Sequence, residues 1–204
     1  RSVLGSRLGR VDVGELFAIT GSADGTIRLE GDLRRAERLG AGLAEGTLFV
    51  EGDAGRGAGA GMTGGRLEIL GNAGDGVGLG MAGGVLVVRG HAGDGAGAAA
   101  PGAKRGMTGG ELIIHGNAGD EAGARMRRGL VAIAGRTGRA AGLSMIAGTV
   151  VASAFGPDAG LLSKRGTLVA LGPVVPPPSY RLACTTQPVA LRLLLRHLRD
   201  VHGF

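Results

Sequence analysis

The side chains of this sequence best placed to do chemistry are cations. Lys104, Arg105, Arg125, Arg127, Arg128, Arg136, Arg139, Lys164 and Arg165 follow one another with few acids between them. Ammonium and guanidinium groups hold carboxylates and phosphates through charge-assisted hydrogen bonds, so a row of them suits an extended polyanion or an acidic protein surface. The charge is lopsided: residues 1–100 carry 10 Lys/Arg against 12 Asp/Glu, residues 101–204 carry 13 against 5. The basic excess therefore lies wholly in the second half and points to an anionic partner there. Nucleic acid is disfavoured, because with no Trp, one Tyr and four Phe there is little on which a base could stack.

Other chemistry finds weaker support. His91, His115, His197 and His202 form no His-x-His or His-Glu-x-x-His pattern and no carboxylate-flanked pair, so neither a metal site nor a general-base dyad is expected, and His91 and His115 read as solvated. Ser144, Ser153 and Ser163 lack a neighbouring base, and no catalytic residue is assigned. Asp75, Asp94 and Asp120 follow turn glycines as in calcium-binding β-rolls, but Arg56 and Arg139 replace them in other copies. Gly59-Ala60-Gly61-Met62-Thr63-Gly64 fits G-x-G-x-x-G yet leads into a strand rather than a helix, against a dinucleotide fingerprint. Cys184, the only cysteine, reads as a small buried apolar residue in a reducing cytosol.

The elements that position these residues are repeats. Met62–Gly80 is followed at once by a second copy from Met81, and the unit of 19 residues tiles the chain as 22–42, 43–61, 62–80, 81–106, 107–125, 126–144 and 145–163, with a partial unit from Lys164 to Gly172. The unit 81–106 is lengthened by an insertion, Ala100 to Gly106. Each unit has an alternating strand, with the pairs Ile27/Leu29, Leu48/Val50, Leu67/Ile69, Leu86/Val88, Leu112/Ile114, Val131/Ile133, Val150/Ala152 and Leu168/Ala170 on one face. A Gly-rich turn follows, as in Gly71-Asn72-Ala73-Gly74. One unit cannot bury its apolar face, whereas stacked copies can. The expected fold is therefore all-β: a single-stranded parallel β-helix, or solenoid, of about seven turns and roughly 34 Å at the usual strand spacing. A leucine-rich repeat is excluded by the missing Leu consensus and helical segment. Met62, Met81, Met107, Met126 and Met145 share one repeat position, taken by Leu43 earlier, and read as an internal ladder. In this register Arg105, Arg127/Arg128 and Lys164/Arg165 line one edge just before the strands.

Three regions result: an N-terminal edge strand or cap over 1–21, the glycine-rich β-helix over 22–172, and a Pro-rich extended segment with a C-terminal amphipathic helix over 173–204. Thr186 is the expected N-cap, with Pro188 in the first turn and Leu191, Leu194, Leu195, Leu198 and Val201 on one face, covering the end or side of the rod. No apolar run is long enough to span a membrane and no leader opens the chain, which suggests a cytoplasmic protein without membrane contact; Arg1 in place of Met leaves room for residues upstream.

The tandem Gly-Asn-Ala-Gly-Asp and Met-Thr-Gly-Gly-x-Leu units, interrupted by Pro101-Gly102-Ala103-Lys104-Arg105-Gly106-Met107-Thr108-Gly109-Gly110, resemble the β-helical C component of formylmethanofuran dehydrogenase over residues 22–172. The form in the bacterial formyltransferase/hydrolase complex is most similar, and the C-terminal domain of glutamate synthase large subunits carries the same repeat. The resemblance implies a non-catalytic subunit packed with A, B and D partners in one-carbon metabolism, methylotrophy or methanogenesis. In the bacterial complex a formyl group passes from a tetrahydromethanopterin carrier to a methanofuran-type coenzyme and is hydrolysed to formate; in the archaeal dehydrogenase the chemistry couples to molybdenum or tungsten. An Arg- and Ala-rich chain with two lysines favours the bacterial form. Methanofuran-type coenzymes carry glutamate-rich tails. Lys104, Arg105, Arg125, Arg127, Arg128, Lys164 and Arg165 are therefore the candidate coenzyme-binding residues, with no covalently bound cofactor and no metal expected. The alternatives are the equivalent component of the molybdenum or tungsten enzyme, a glutamate-synthase-like interaction module, and a stand-alone scaffold.

Overall fold

The structure, a computed structural model, describes residues 3–6, 9–12, 18–21 and 25–204. Eight parallel strands, one per turn, build the solenoid: β4 (Thr26–Glu30), β5 (Thr47–Glu51), β6 (Thr63–Ile69), β7 (Gly83–Val88), β8 (Glu111–Ile114), β9 (Leu130–Arg136), β10 (Thr149–Ala154) and β11 (Thr167–Ala170). They stack in chain order as one sheet, since each turn returns the backbone to the ladder of the turn before. Preceding them, β1 (Val3–Ser6) and β2 (Gly9–Asp12) form an antiparallel pair, and β3 (Ala18–Gly21) runs antiparallel to β4. Of the strand expected at 11–21, Glu15, Leu16 and Phe17 lie outside the described residues.

Register follows the repeat. Leu48 pairs with Leu67, Leu67 with Leu86, Leu86 with Leu112 across the insertion, and Leu112 with Val131. The last turn is a residue shorter than its neighbours: Val131 pairs with Val150, 19 residues on, but Val150 pairs with Leu168, 18 on. Ser163 rather than Lys164 therefore takes the methionine's place there. The inward residues from Leu29 to Ala152 are buried, as are all five methionines, joined on a second side by Ala54, Ala73, Ala92 and Ala118, which are linked rung to rung by parallel bridges. Ile27 departs from the expected core pairs, at 46% exposure, because β4 is the first parallel rung of the array.

Small residues are forced where the turns stack. Gly65 has φ 66°, and a Cβ there would sit 2.8 Å from the carbonyl oxygen of Gly46 in the turn beneath. Gly148, at φ 103°, leaves room for Met126, whose Cε would lie 3.0 Å from an added Cβ. Glycine and methionine are thus two halves of one packing solution.

The outer face of the sheet is also covered. Helix α1 (Val189–His202) lies across it, and Leu198, with Leu194 and Phe204 beside it, packs with Val87, Ile113, Leu130, Ala132 and Val151. The outward residues of β7 to β10 beneath the helix, Val87, Ile113, Ala132 and Val151, are accordingly apolar, where a solvated face would be polar; Glu111 and Thr149 at the strand starts are the exceptions. Between the last turn and the helix runs an extended, exposed strap, residues 173–188, whose Tyr180 hydroxyl donates to the Gly160 carbonyl at 3.5 Å.

Three expectations for this end of the chain are corrected. The helix is capped by extended Pro188 rather than Thr186, with no side-chain cap bond; proline's fixed φ and missing N–H make it a helix starter in itself. Val201 is 61% exposed while His202 is buried, because the stripe turned to the sheet runs from half-buried Leu191 and Leu194 to buried Leu198 and His202. Cys184 is exposed, since the strap carrying it crosses outside both cores.

Candidate functional site

The basic edge arises from the rungs. The residue after each methionine, or after Ser163 in its place, donates its backbone N–H to the methionine carbonyl one turn below: Thr108 to Met81, Arg127 to Met107, Ile146 to Met126, Lys164 to Met145. Thr108, Arg127, Ile146 and Lys164 therefore stand in one column, with Arg128, Ala147 and Arg165 in the next. Arg105, Thr108, Arg127, Arg128, Ile146, Ala147 and Arg165 line a single surface hollow, with Ile146 and Ala147 among its apolar lining. Among the described residues no carboxylate pairs with Arg105, Arg127, Arg128 or Arg165, whereas Arg66 and Arg89 pair with Glu68, and Arg139 with Asp158. Four guanidinium groups without a carboxylate partner among the described residues line one hollow, a chemistry suited to holding carboxylates.

The other three predicted residues lie apart from it. Lys104 and Lys164 are exposed outside the lining. Arg125 holds the insertion: its Nη1 donates to the Ala103 carbonyl at 3.3 Å and its own carbonyl accepts from the Gly106 N–H at 2.9 Å. It does so at φ 56°, a position filled by Gly61 and Gly80 in earlier turns. That strain is the kind tolerated where a loop must be fixed.

Turn side chains form two ladders of their own. Asp53, Asn72, His91 and Asn117 each accept the backbone N–H of the equivalent residue in the next turn, at 2.7 to 3.0 Å, His91 through Nδ1. Asp75, Asp94 and Asp120 do the same one corner later. These aspartates are structural acceptors for backbone donors that the corners would otherwise leave to water.

Sequence reasoning missed a polar cluster on the outer face. Glu111, at the start of β8, receives His197 Nε2 at 2.9 Å and His202 Nε2 at 2.8 Å, both from the C-terminal half of α1. Burial works to raise the Glu111 pKa, but the two histidine hydrogen bonds outweigh it and the carboxyl sits below its ordinary range. The same balance holds for Glu68, where burial is overcome by the guanidinium groups of Arg89 and Arg66. His115, half-buried with Nε2 3.1 Å from Arg89 Nη1, is pushed down by burial and then by the charge of Arg89. No sequence motif signals the cluster, because His197 and His202 are five apart and Glu111 lies 86 and 91 residues away from them.

Together these features define a class: a single-sheet β-solenoid repeat protein, its sheet held between an aliphatic-methionine core and one C-terminal helix. No protein-family model matches the chain, and no curated protein sequence matches it. A solved structure does: the X-ray crystal structure of the formyltransferase/hydrolase complex (FhcABCD) from Methylorubrum extorquens in complex with methylofuran contains a chain 39% identical to this one. The match has a TM-score of 0.84 and covers 98% of this chain and 76% of that chain. This chain belongs to the family of that β-helical component of formyltransferase/hydrolase complexes. Among the described residues no helix is long and apolar enough to cross a membrane.

Proposed function

We propose that this protein is the β-helical component of a formyltransferase/hydrolase complex, a non-catalytic scaffold that also holds the acidic tail of a methanofuran-type coenzyme. The observation that carries this reading is the hollow lined by Arg105, Arg127, Arg128 and Arg165, none of which has a carboxylate partner among the described residues, on one edge of the rod. Support comes from the M. extorquens complex, which contains methylofuran and the related chain. A glutamate-rich tail presents carboxylates at intervals, and arginines standing on rungs one or two apart match such a ligand at multiples of the parallel-strand spacing of roughly 4.8 Å. The scaffold would keep the coenzyme near its A, B and D partners, which would carry the formyl transfer from tetrahydromethanopterin and the hydrolysis to formate.

The test is steady-state kinetics on the reassembled complex. Arg105→Glu with Arg128→Glu should raise the KM for coenzyme by about tenfold with assembly intact, the loss expected from exposed charged contacts of about 0.5–1 kcal/mol each. Lys104→Glu, outside the hollow, should change it little. An unchanged KM in the double variant would sink the tail reading. Co-purification with mass spectrometry of the accompanying chains tests complex membership separately: a chain isolated alone from its host would refute it.

A further inference from the structure

The cluster of Glu111, His197 and His202 is independent of the basic edge and of the coenzyme reading. One ligand atom from each, a carboxylate oxygen and two imidazole nitrogens, lies within 4.8 Å of the others. Both rings present Nε2, and His197 Nε2 approaches both carboxylate oxygens, at 2.9 and 3.1 Å. The rings stand edge to face, centroids 5.2 Å apart, so the two nitrogens converge on the carboxylate without stacking. The surroundings are firm. Glu111 begins a central strand, and the C-terminal end of α1 is closed by Gly203 at φ 63° with the Phe204 N–H bonded to the Leu198 carbonyl. The side chain of His202 is 1% exposed, that of Glu111 30% and that of His197 39%, so the cluster is buried at its base and open on one side.

We propose that Glu111, His197 and His202 form a binding site for a divalent transition metal, Zn²⁺ or a close relative, that clamps the C-terminal helix to the outer face of the sheet. Two imidazoles and one carboxylate are a donor set that takes Zn²⁺ at about 2.0–2.2 Å, which calls for donor separations of roughly 3.3 Å in a tetrahedral arrangement. The two nitrogen-to-oxygen separations already lie close to that, so the ion would enter by displacing the imidazole protons with small side-chain adjustments. Imidazole nitrogens select against Ca²⁺ and Mg²⁺, which prefer oxygen donors throughout. Three protein donors leave a fourth position on the open side, for water or another oxygen donor. His202 Nδ1 is buried with no hydrogen-bond partner among the described residues. It would have to carry the ring proton in the metal-bound form without an acceptor behind it, so the affinity should fall below that of sites whose imidazoles are backed by carboxylates.

The test uses the full chain in a Cys184→Ser background, which removes the exposed thiol as a rival ligand. After chelator treatment, titration with Zn²⁺ alone near neutral pH should show one saturable equivalent per chain and a rise in Tm, and Co²⁺ should develop the visible absorption of a low-coordinate site. His197→Gln and Glu111→Gln, which retain hydrogen-bonding groups at partly exposed positions, should weaken binding by at least roughly tenfold, the lower range found for losing an outer partner of a metal ligand. His91→Gln should not. Circular dichroism in chelator establishes that each variant is folded, and if Glu111→Gln is not, His197→Gln decides alone. Absence of saturable binding in the parent, or equal binding by parent and a folded His197→Gln, overturns the proposal.

Discussion

Met126→Ala probes the packing on which the whole solenoid rests. Met126 is fully buried between the methionines of adjacent rungs, against Gly123 and Gly148, which have no side chains to give way. Truncation removes three heavy atoms, worth about 2.4 kcal/mol at roughly 0.8 per buried methylene-sized group. The hole cannot close readily, because the glycine corners are tied to neighbouring rungs by backbone hydrogen bonds, so a cavity term brings the loss to about 3–4 kcal/mol, within the usual 2–5 for such changes. For a chain of this size that is a fall of about 6–16 °C in Tm by differential scanning calorimetry. Met126→Leu, which nearly conserves volume, should cost under about 1.5 kcal/mol. Leu43→Ala, at the equivalent but only partly buried position near the other end, should cost less than Met126→Ala. A Met126→Ala loss below about 1 kcal/mol, or no larger than that of Leu43→Ala, would refute the reasoning that the methionines and glycines are one interlocked core.

Acid should weaken the outer face through Glu68. Its folded carboxyl, held down by Arg89 and Arg66 against burial, titrates below the unfolded value of about 4.3. The pairing therefore contributes stability above that pH and loses it as the pH falls through the lower folded pKa, so unfolding free energies of wild type and Glu68→Gln should differ at pH 7 and converge once the pH has fallen below the folded pKa. Denaturant curves that stay parallel across that range would contradict it. In the turn ladder, His91→Ala leaves the Asn117 N–H without its acceptor and should cost about 0.5–1.5 kcal/mol, whereas His91→Asn, which copies Asn72 and Asn117, should be nearly neutral. Equal losses by calorimetry would remove the ladder from the account. Cys184 should react with a thiol reagent in the native protein as fast as in denaturant, and a requirement for unfolding would show that the strap is covered.

What the amino-acid order determined is everything local and periodic. The recurrence of Gly-Asn-Ala-Gly and of methionine states the turn length, the inward face and the glycine corners, because each unit repeats the same packing problem and its solution is written into every copy. The same register brings Arg127, Arg128 and Arg165 to one edge two turns apart, since equivalent positions of the repeat stack, and Arg105 joins them from the end of the insertion. It does not show that Arg125 is committed to the insertion, or that the last turn is a residue short. Both depend on how a particular loop closes.

Only the tertiary structure decided what lies beyond the repeat. Where α1 docks depends on an outer sheet face whose apolar residues, Val87, Ile113, Ala132 and Val151, come from separate turns and form a surface only after stacking. That docking buries His202 and leaves Val201 in water, although the helical pattern alone favours the reverse. It also carries His197 and His202 to Glu111 across 86 and 91 residues of chain. Sequence periodicity reports neighbours along a strand, a helix or a repeat. A meeting between a helix and a rung has no period, and is set by the free energy of covering one face with another.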